Sequence, residues 1–444
     1  MALLAMGMVL AGAMEGQLAM ASTETLELES DESFRVDAVL IEGLVRTHRD
    51  VVERELLFAE GEWTTIEEIE ESVQRLRNTD IFERVEYGLV DRQIGAIDDE
   101  GGDSEAQVVR LNLDERWTLT AFFQFGQGGD TFRIMVGAQD VNFRGRYRHL
   151  GGTYSRLGDA NSMSMWYREP RFLGGRQKLS LRGDINSRLF TFFGRDGEVE
   201  GGYLRRRRRA VVGLEKEWRP RIMTGLHGSF STHRFSYEQV DDRRREGQEQ
   251  GSGLAPSAEV LRVGVSGRLG RLNRQGFLST GTTLGLRVDQ ELQWGVDQRW
   301  AQRVETRLTH FSELPGQTTL GVRGELGFRT TEMEDEHFFA GGLDAVRGTL
   351  DMRHRGRHHW LGNVELRVPV VRNDWLVVQQ ATFVDAVGVT EHATQVLDLT
   401  AATTGVGMRV IFRDLHAMIL RFDYALPVLG ADGPAMSFGA GHFF

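Results

Sequence analysis

A transmembrane β-barrel of sixteen antiparallel strands, preceded by one small α+β domain, is the fold this sequence predicts. Three observations point there. Segments after Trp117 alternate apolar and polar residues with period two. Their polar faces carry full charges of both signs. Short connections between them alternate with long ones.

Composition bounds the alternatives. The chain has 444 residues, net charge −11, 53 glycines, 7 prolines and no cysteine. That length accommodates two domains, and the missing cysteine removes disulfide frameworks and thiolate metal sites. Glycine is abundant without a collagen-like period. Mean hydropathy is −0.33, and beyond the first thirty residues no apolar run is long enough for a spanning helix. A polar mean does not weigh against a barrel, because alternating strands cancel in any average.

The elements follow in order. Residues 1–21, MALLAMGMVLAGAMEGQLAMA, have the length and apolar centre of an export signal, with Ala19-Met20-Ala21 as a cleavage site before Ser22. The Lys or Arg that usually precedes such a segment is missing. Residues 22–33 form a short acidic linker. Residues 34–116 predict a β-α-α-β-β domain. FRVDAVLIEGL alternates as a strand, and HRDVVERELLF spaces Val51, Val52, Leu56 and Leu57 as a helix that ends before Gly61. Thr64 or Thr65 caps TIEEIEESVQRLRNTDIF. Its Ile66, Ile69, Val73 and Leu76 form one stripe, and its acidic first turn suits the helix dipole. ERVEYGLVD and AQVVRLNLDERW complete the domain as two strands around an acidic, glycine-rich loop at 95–105.

Residues 117–444 carry no predicted helix. In WLGNVELRVPVV, Trp360, Val364, Leu366, Val368 and Val370 oppose Asn363, Glu365 and Arg367. MILRFDYAL sets Met418, Leu420, Phe422, Tyr424 and Leu426 against Arg421 and Asp423. A soluble sandwich could alternate in the same way, but ionic faces suit a wet lumen and not a dry core. Strands of about 9–12 residues are long enough to span at a tilt. Trp218, Trp300, Trp360 and Trp375 fall at strand ends, where an interfacial girdle sits. The turns RPR, NRQ, PGQ and RND oppose longer loops such as 239–258 and 333–358. Closure on an even count follows, because a free strand edge has no hydrogen-bond partner in lipid.

Several motifs, in this order, carry a resemblance. They are the EGL after the first strand, LRNTDIFERVEY, DVNFRGRYRHLGGTY, YREPRFLGGRQKLSL, FFAGGLDAVRGT, FVDAVG, TTGVGMRVIF with RFDYALPV, and the closing SFGAGHFF. The chain resembles the superfamily of bacterial outer-membrane assembly and translocation barrels, the BamA/TamA and surface-antigen type, over nearly all of residues 34–444. The resemblance implies that residues 34–116 are a single POTRA domain in the periplasm. It implies that the sixth long loop folds into the lumen and places Gly341, Gly342, Val346, Arg347 and Gly348 against the wall. The implied wall partner is Asp385, with Phe383 beside it. Phe438, His442 and Phe444 match the family's C-terminal barrel signal. Two positions depart from the family: Thr349 replaces an aromatic, and Val387 stands where a glycine is expected.

As to function, the resemblance implies insertion or translocation of unfolded outer-membrane or secreted clients, captured by strand addition to the POTRA sheet. Periplasmic chaperones or accessory lipoproteins are implied partners. The barrel's first and last strands would form a weakly paired seam, which Gly126, Gly128, Gly129, Gly439 and Gly441 suit. A two-partner secretion pore is the alternative, though residues 22–33 are too few to plug a lumen. A passive porin is another, of a different class. The run Arg205, Arg206, Arg207, Arg208 and Arg209 suits either lipopolysaccharide phosphates or an alternating lumen face, and not nucleic acid in an acidic exported chain. His354 and His358 lack a nearby carboxylate, so no metal is expected. GVSGR at 264–268 lacks the last glycine of a nucleophile elbow, and no phosphate-cradling loop is present. No enzyme activity and no cofactor are expected.

Overall fold

The computed structural model describes residues 33–91, 106–128, 131–194, 198–275, 277–295, 298–342, 345–412, 419–430 and 433–440. The expected export signal, nearly all of the acidic linker, Gly129, Gly441, His442 and Phe444 lie outside the described residues.

In the N-terminal domain, β1 (Phe34–Glu42), β2 (Trp63–Thr64), β3 (Phe82–Asp91) and β4 (Ala106–Glu115) form one sheet in the order β2-β1-β4-β3. Helices α1 (Arg49–Glu53) and α2 (Ile66–Arg77) lie between these strands in the sequence. The two-residue β2 is an addition to the expected order. Helix α1 is shorter than its apolar spacing suggests, and the Leu57 N–H, four residues past its end, donates to Ser72 Oγ at 2.9 Å instead of to a helical carbonyl. Thr65 is the cap of α2, its hydroxyl accepting from Glu68 N–H at 3.3 Å. Ile69, Val73 and Leu76 are buried, whereas Ile66 is 40% exposed. Glu115, at the end of β4, accepts from the backbone N–H groups of Val45 (3.0 Å), Arg46 (3.0 Å) and Thr47 (2.8 Å). Partial burial would lift its carboxyl pKa, but these hydrogen bonds outweigh burial and hold it below the ordinary glutamate value.

The barrel begins with β5 (Leu119–Gly128), β6 (Thr131–Asp140), β7 (His149–Leu157), β8 (Ala160–Phe172), β9 (Gln177–Phe193) and β10 (Val199–Arg219). It continues with β11 (Ile222–Ser236), β12 (Ala258–Gln275), β13 (Leu278–Trp294), β14 (Arg299–Leu314) and β15 (Thr318–Arg329). Next, β16 (Phe338–Ala340) and β17 (His354–Gly356) pair with each other inside the long 330–357 loop and stand outside the barrel sheet. The wall resumes with β18 (His358–Arg372), β19 (Leu376–Thr390), β20 (Ala401–Phe412), β21 (Ile419–Leu429) and β22 (Ala435–Ala440), which returns to β5. Sixteen strands close the sheet, each antiparallel to its neighbours.

Side-chain exposure separates barrel from sandwich. On β18, Glu365 is 0% and Arg367 3% exposed, whereas Leu366 is 36% and Val368 38% exposed. A soluble core would invert this order, because burying apolar surface and solvating charge is the favourable arrangement in water. Here the outer solvent is lipid. No helix among the described residues is long and apolar enough to cross a membrane.

Two wall features bear on function. The loop at 237–257 contains α3 (Asp242–Gln250), a helix absent from the sequence-based expectation. DRRREGQEQ has no apolar stripe to reveal it, and its signal is the Asp241 cap, which accepts from Arg244 N–H at 2.9 Å. The closing seam is the second. There β22 returns to β5, with Phe438 opposite Gln127 and Gly439 opposite Gly126 among the described residues.

Candidate functional site: a loop anchored inside the barrel

The 330–357 loop touches the inner wall at two places. Its tip is shaped by three glycines. Gly341, Gly342 and Gly348 have φ of +149°, +53° and +85°, where L side chains are strained. A Cβ on Gly341 would lie 2.0 Å from Leu350 O, and one on Gly348 would lie 2.8 Å from Ala425 Cβ. Thr349, the departure from the family aromatic, closes the tip through its hydroxyl. That group donates to Val346 O at 2.9 Å and accepts from Gly342 N–H at 3.0 Å. Val346 is buried with Ala340, Leu361, Val387 and Ala401. Val387, the second departure, therefore fills an apolar floor beneath the tip.

Arg347 is 1% exposed. Its Nε and Nη2 each donate to Asp385 at 2.8 Å, a two-pronged pair, and its backbone N–H adds a third bond at 3.1 Å. Nη1 donates to Glu365 at 2.5 Å and lies 3.6 Å from Asp423. The guanidinium centre stands 3.5 Å from the Phe383 ring centroid, a cation–π contact. The wall carboxylates are themselves held. Asn363 Nδ2 donates to Asp385 at 2.8 Å, Arg367 and Arg409 reach Glu365 at 2.7 and 2.9 Å, and Arg409 reaches Asp423 at 2.7 Å. The structure thus brings Arg347, Asp385 and Phe383 together. Sequence reasoning missed Glu365, Asp423 and Arg409 as members of this cluster. The signal for them was inward parity on β18, β21 and β20, but parity says nothing about which inward charges share a level.

The second contact lies at the start of the loop. Asp335 accepts from Arg205 Nη1 at 3.2 Å and meets His233 Nδ1 at 2.8 Å. Glu336 meets Arg207 at 3.3 Å, Arg262 at 3.1 Å and Arg329 at 3.9 Å. Beside them, Met352 and Phe339 pack against Phe190, Phe192 and Tyr203 of β9 and β10. His233, Asp335 and Glu336 bring potential metal-ligand atoms within 4.8 Å of one another. Four guanidiniums already neutralise the two carboxylates, so a divalent cation would enter a surplus of positive charge. The group is an electrostatic anchor. Of the arginine run, Arg205, Arg207 and Arg209 turn inward to Asp335, Glu336 and Asp184, while Arg206 and Arg208 turn outward. Phe438 lies in the seam, its ring 5.5 Å from that of Phe125.

A closed lipid-facing barrel, an arginine-tipped loop held in its lumen and a small α+β domain ahead of it define an outer-membrane barrel of the assembly or secretion class. The Omp85 superfamily domain matches residues 142–444, and the POTRA domain described as surface antigen variable number repeat matches residues 34–114. The chain belongs to the Omp85 superfamily. Among solved structures it is similar to BamA from Haemophilus ducreyi lacking POTRA domains 1–3, with 17% identity, a TM-score of 0.56, and 91% of this chain and 84% of that one covered. It is also similar to CdiB from Acinetobacter baumannii, with 13% identity, a TM-score of 0.59, and coverage of 92% and 73%. CdiB from Escherichia coli gives 12%, 0.52, 94% and 92%. At these identities the likeness is one of fold. No curated protein matches the chain at the sequence level.

Proposed function

We propose that this protein inserts unfolded client proteins into the bacterial outer membrane beside its own seam, with the POTRA domain in the periplasm. The observation that carries this reading is the β22–β5 closure, where the last strand returns to the first and the described pairs, Phe438↔Gln127 and Gly439↔Gly126, place two glycines at the seam. Glycines at the described pairs leave that edge with little side-chain contact to hold it, which favours opening. A client strand that pairs with an opened edge satisfies its backbone polar groups without leaving lipid. Client folding and lipid burial then supply the driving free energy, and no nucleotide is required. In the POTRA sheet β3 is an edge strand with no neighbour on its outer side among the described residues, which suits strand addition by an extended client. Phe438, with the His442 and Phe444 that follow it, would serve as the barrel's own assembly signal, and periplasmic chaperones or lipoproteins would deliver clients.

The anchored loop has a place in this reading. Tied to the β9–β12 wall at one end and to β18–β21 at the other, it braces the barrel while the seam opens elsewhere. Secretion through the lumen is the second reading. The ionic lumen favours it, and the doubly tied loop stands against it and against a passive porin. The test is depletion of the protein in its host, followed by quantification of folded outer-membrane proteins. Loss of several barrels together supports insertion, and unchanged levels of all of them refute it. A cysteine pair at Gln127 and Phe438 sharpens the result. An oxidised, locked seam should stop insertion and leave lumen secretion intact.

A further inference from the structure

The outward half of the arginine run has no partner in the loop network. Arg205, Arg207 and Arg209 are accounted for by lumen carboxylates, whereas Arg206 and Arg208 point away from the lumen. Arg206 lies directly opposite Arg234 of β11, another exposed arginine. Like charges facing each other across a ladder are unfavourable unless an anion sits between them. Arg206 has one exposed contact, to Glu238 at 2.7 Å, of the kind that contributes little. Among the described residues no carboxylate pairs with Arg208 or Arg234.

Where these three stand is informative. Two residues along β10 from Arg208 the lipid-facing series begins, with Ala210, Val212 and Leu214. The arginines therefore sit at the edge of the apolar band, at the long-loop end of the wall. On other strands the outward positions near that end are aromatic: Trp294, Trp300, Phe328 and Trp360. Next to the arginines, on the apolar side, the wall is dented. Small residues line up across the strands, Gly183 opposite Ala210 and Gly228 opposite Val212, with Met165 and Phe230 flanking them. A Cβ on Gly183 would meet nothing within 4 Å. The resulting depression, of about 660 Å³, is lined mostly by apolar side chains, Leu181 among them.

We infer that this face binds a phosphorylated glycolipid of the outer leaflet, with Arg206, Arg208 and Arg234 on its phosphate and an acyl chain laid in the depression. Guanidiniums take phosphate oxygens in pairs, and the adjacent dent requires a ligand that is both anionic and greasy. The position at the long-loop end selects the outer leaflet, and this step rests on the orientation given under Proposed function.

The test uses the full-length protein extracted in mild detergent, with native mass spectrometry reading lipid retention. The lipids are a diphosphorylated lipid A, its dephosphorylated form and phosphatidylglycerol. Retention of diphosphorylated lipid A should fall about tenfold in the R206Q/R208Q/R234Q triple variant and by less in R208Q alone, which removes one exposed side chain and leaves the fold intact. Gly183→Leu, which fills the depression, should weaken retention without altering the preference for phosphate. R219Q, at the opposite end of β10, should change nothing. Equal retention of the dephosphorylated lipid, equal retention of phosphatidylglycerol, or an unaffected triple variant overturns the site. Fractionation of the same cells separates the two claims. Protein outside the outer membrane refutes the membrane placement given under Proposed function, and protein in it with unselective lipid retention refutes only this site.

Discussion

The two contacts of the long loop have opposite polarity. At the tip the loop supplies the cation, Arg347, and the wall supplies the carboxylates of Asp385, Glu365 and Asp423. At its start the loop supplies the carboxylates, Asp335 and Glu336, and the wall supplies Arg205, Arg207, Arg262 and Arg329. At the tip Arg367 and Arg409 offset the wall carboxylates, whereas at the start four guanidiniums surround the two loop carboxylates, so every buried carboxylate has a cationic partner. A loop with one sign of charge could slide between equivalent wall positions. A loop with opposite signs at its two ends fits the lumen in one register only.

Substitutions can break this symmetry, with the largest effect at the tip. Arg347→Ala leaves Asp385 and Glu365 buried without their shared cation and should cost about 3–5 kcal/mol in urea unfolding of the reconstituted barrel. Arg347→Lys should recover only part of that, since an ammonium cannot make the two-pronged contact with Asp385. A loss below about 1 kcal/mol for the alanine variant would mean that the wall arginines already satisfy those carboxylates.

Glu336→Gln weakens the other contact by about 1.5–3 kcal/mol, because a neutral amide still accepts but no longer balances three guanidiniums. Protease should then reach residues 330–340 while the tip stays protected. If the contacts are independent, R347A and E336Q add to within about 0.5 kcal/mol, and a larger deviation shows that the loop moves as one body.

Gly348→Ala should cost about 1–2 kcal/mol, from a left-handed backbone and the clash with Ala425, with little change at the loop's start. The smallest effect lies outside the barrel. Glu115 has a lowered pKa, so its stabilising contribution is full above the ordinary glutamate value of 4.5 and fades as pH falls through the lower folded value. Glu115→Gln should flatten that acid limb of the N-terminal domain's unfolding, monitored in the full chain, and leave both loop contacts unchanged.

The two contacts also differ in how legible they were. VRG between glycines, read with FVDAVG, named Arg347, Asp385 and Phe383 through a family resemblance. Nothing comparable marks EDE at 334–336, which reads like any solvated loop. Its partners come from β10, β11, β12 and β15, as much as about 130 residues away in the chain. The arginine run misled in a similar way, because one contiguous stretch divides between two environments. Helix α3 was hidden because a wholly polar helix has no period to detect.

By itself the sequence determined the period-two alternation, the even strand count and the alternation of short and long connections. Each is a local property, imposed by a strand with lipid on one side and water on the other, and each survives without knowledge of the neighbours. The tertiary structure alone decided which inward charges meet, which arginines turn outward and which strands close the seam. Those outcomes depend on inter-strand register and on the path of one loop through the lumen. A one-residue slip in either would exchange every partner while leaving the alternation within each strand intact.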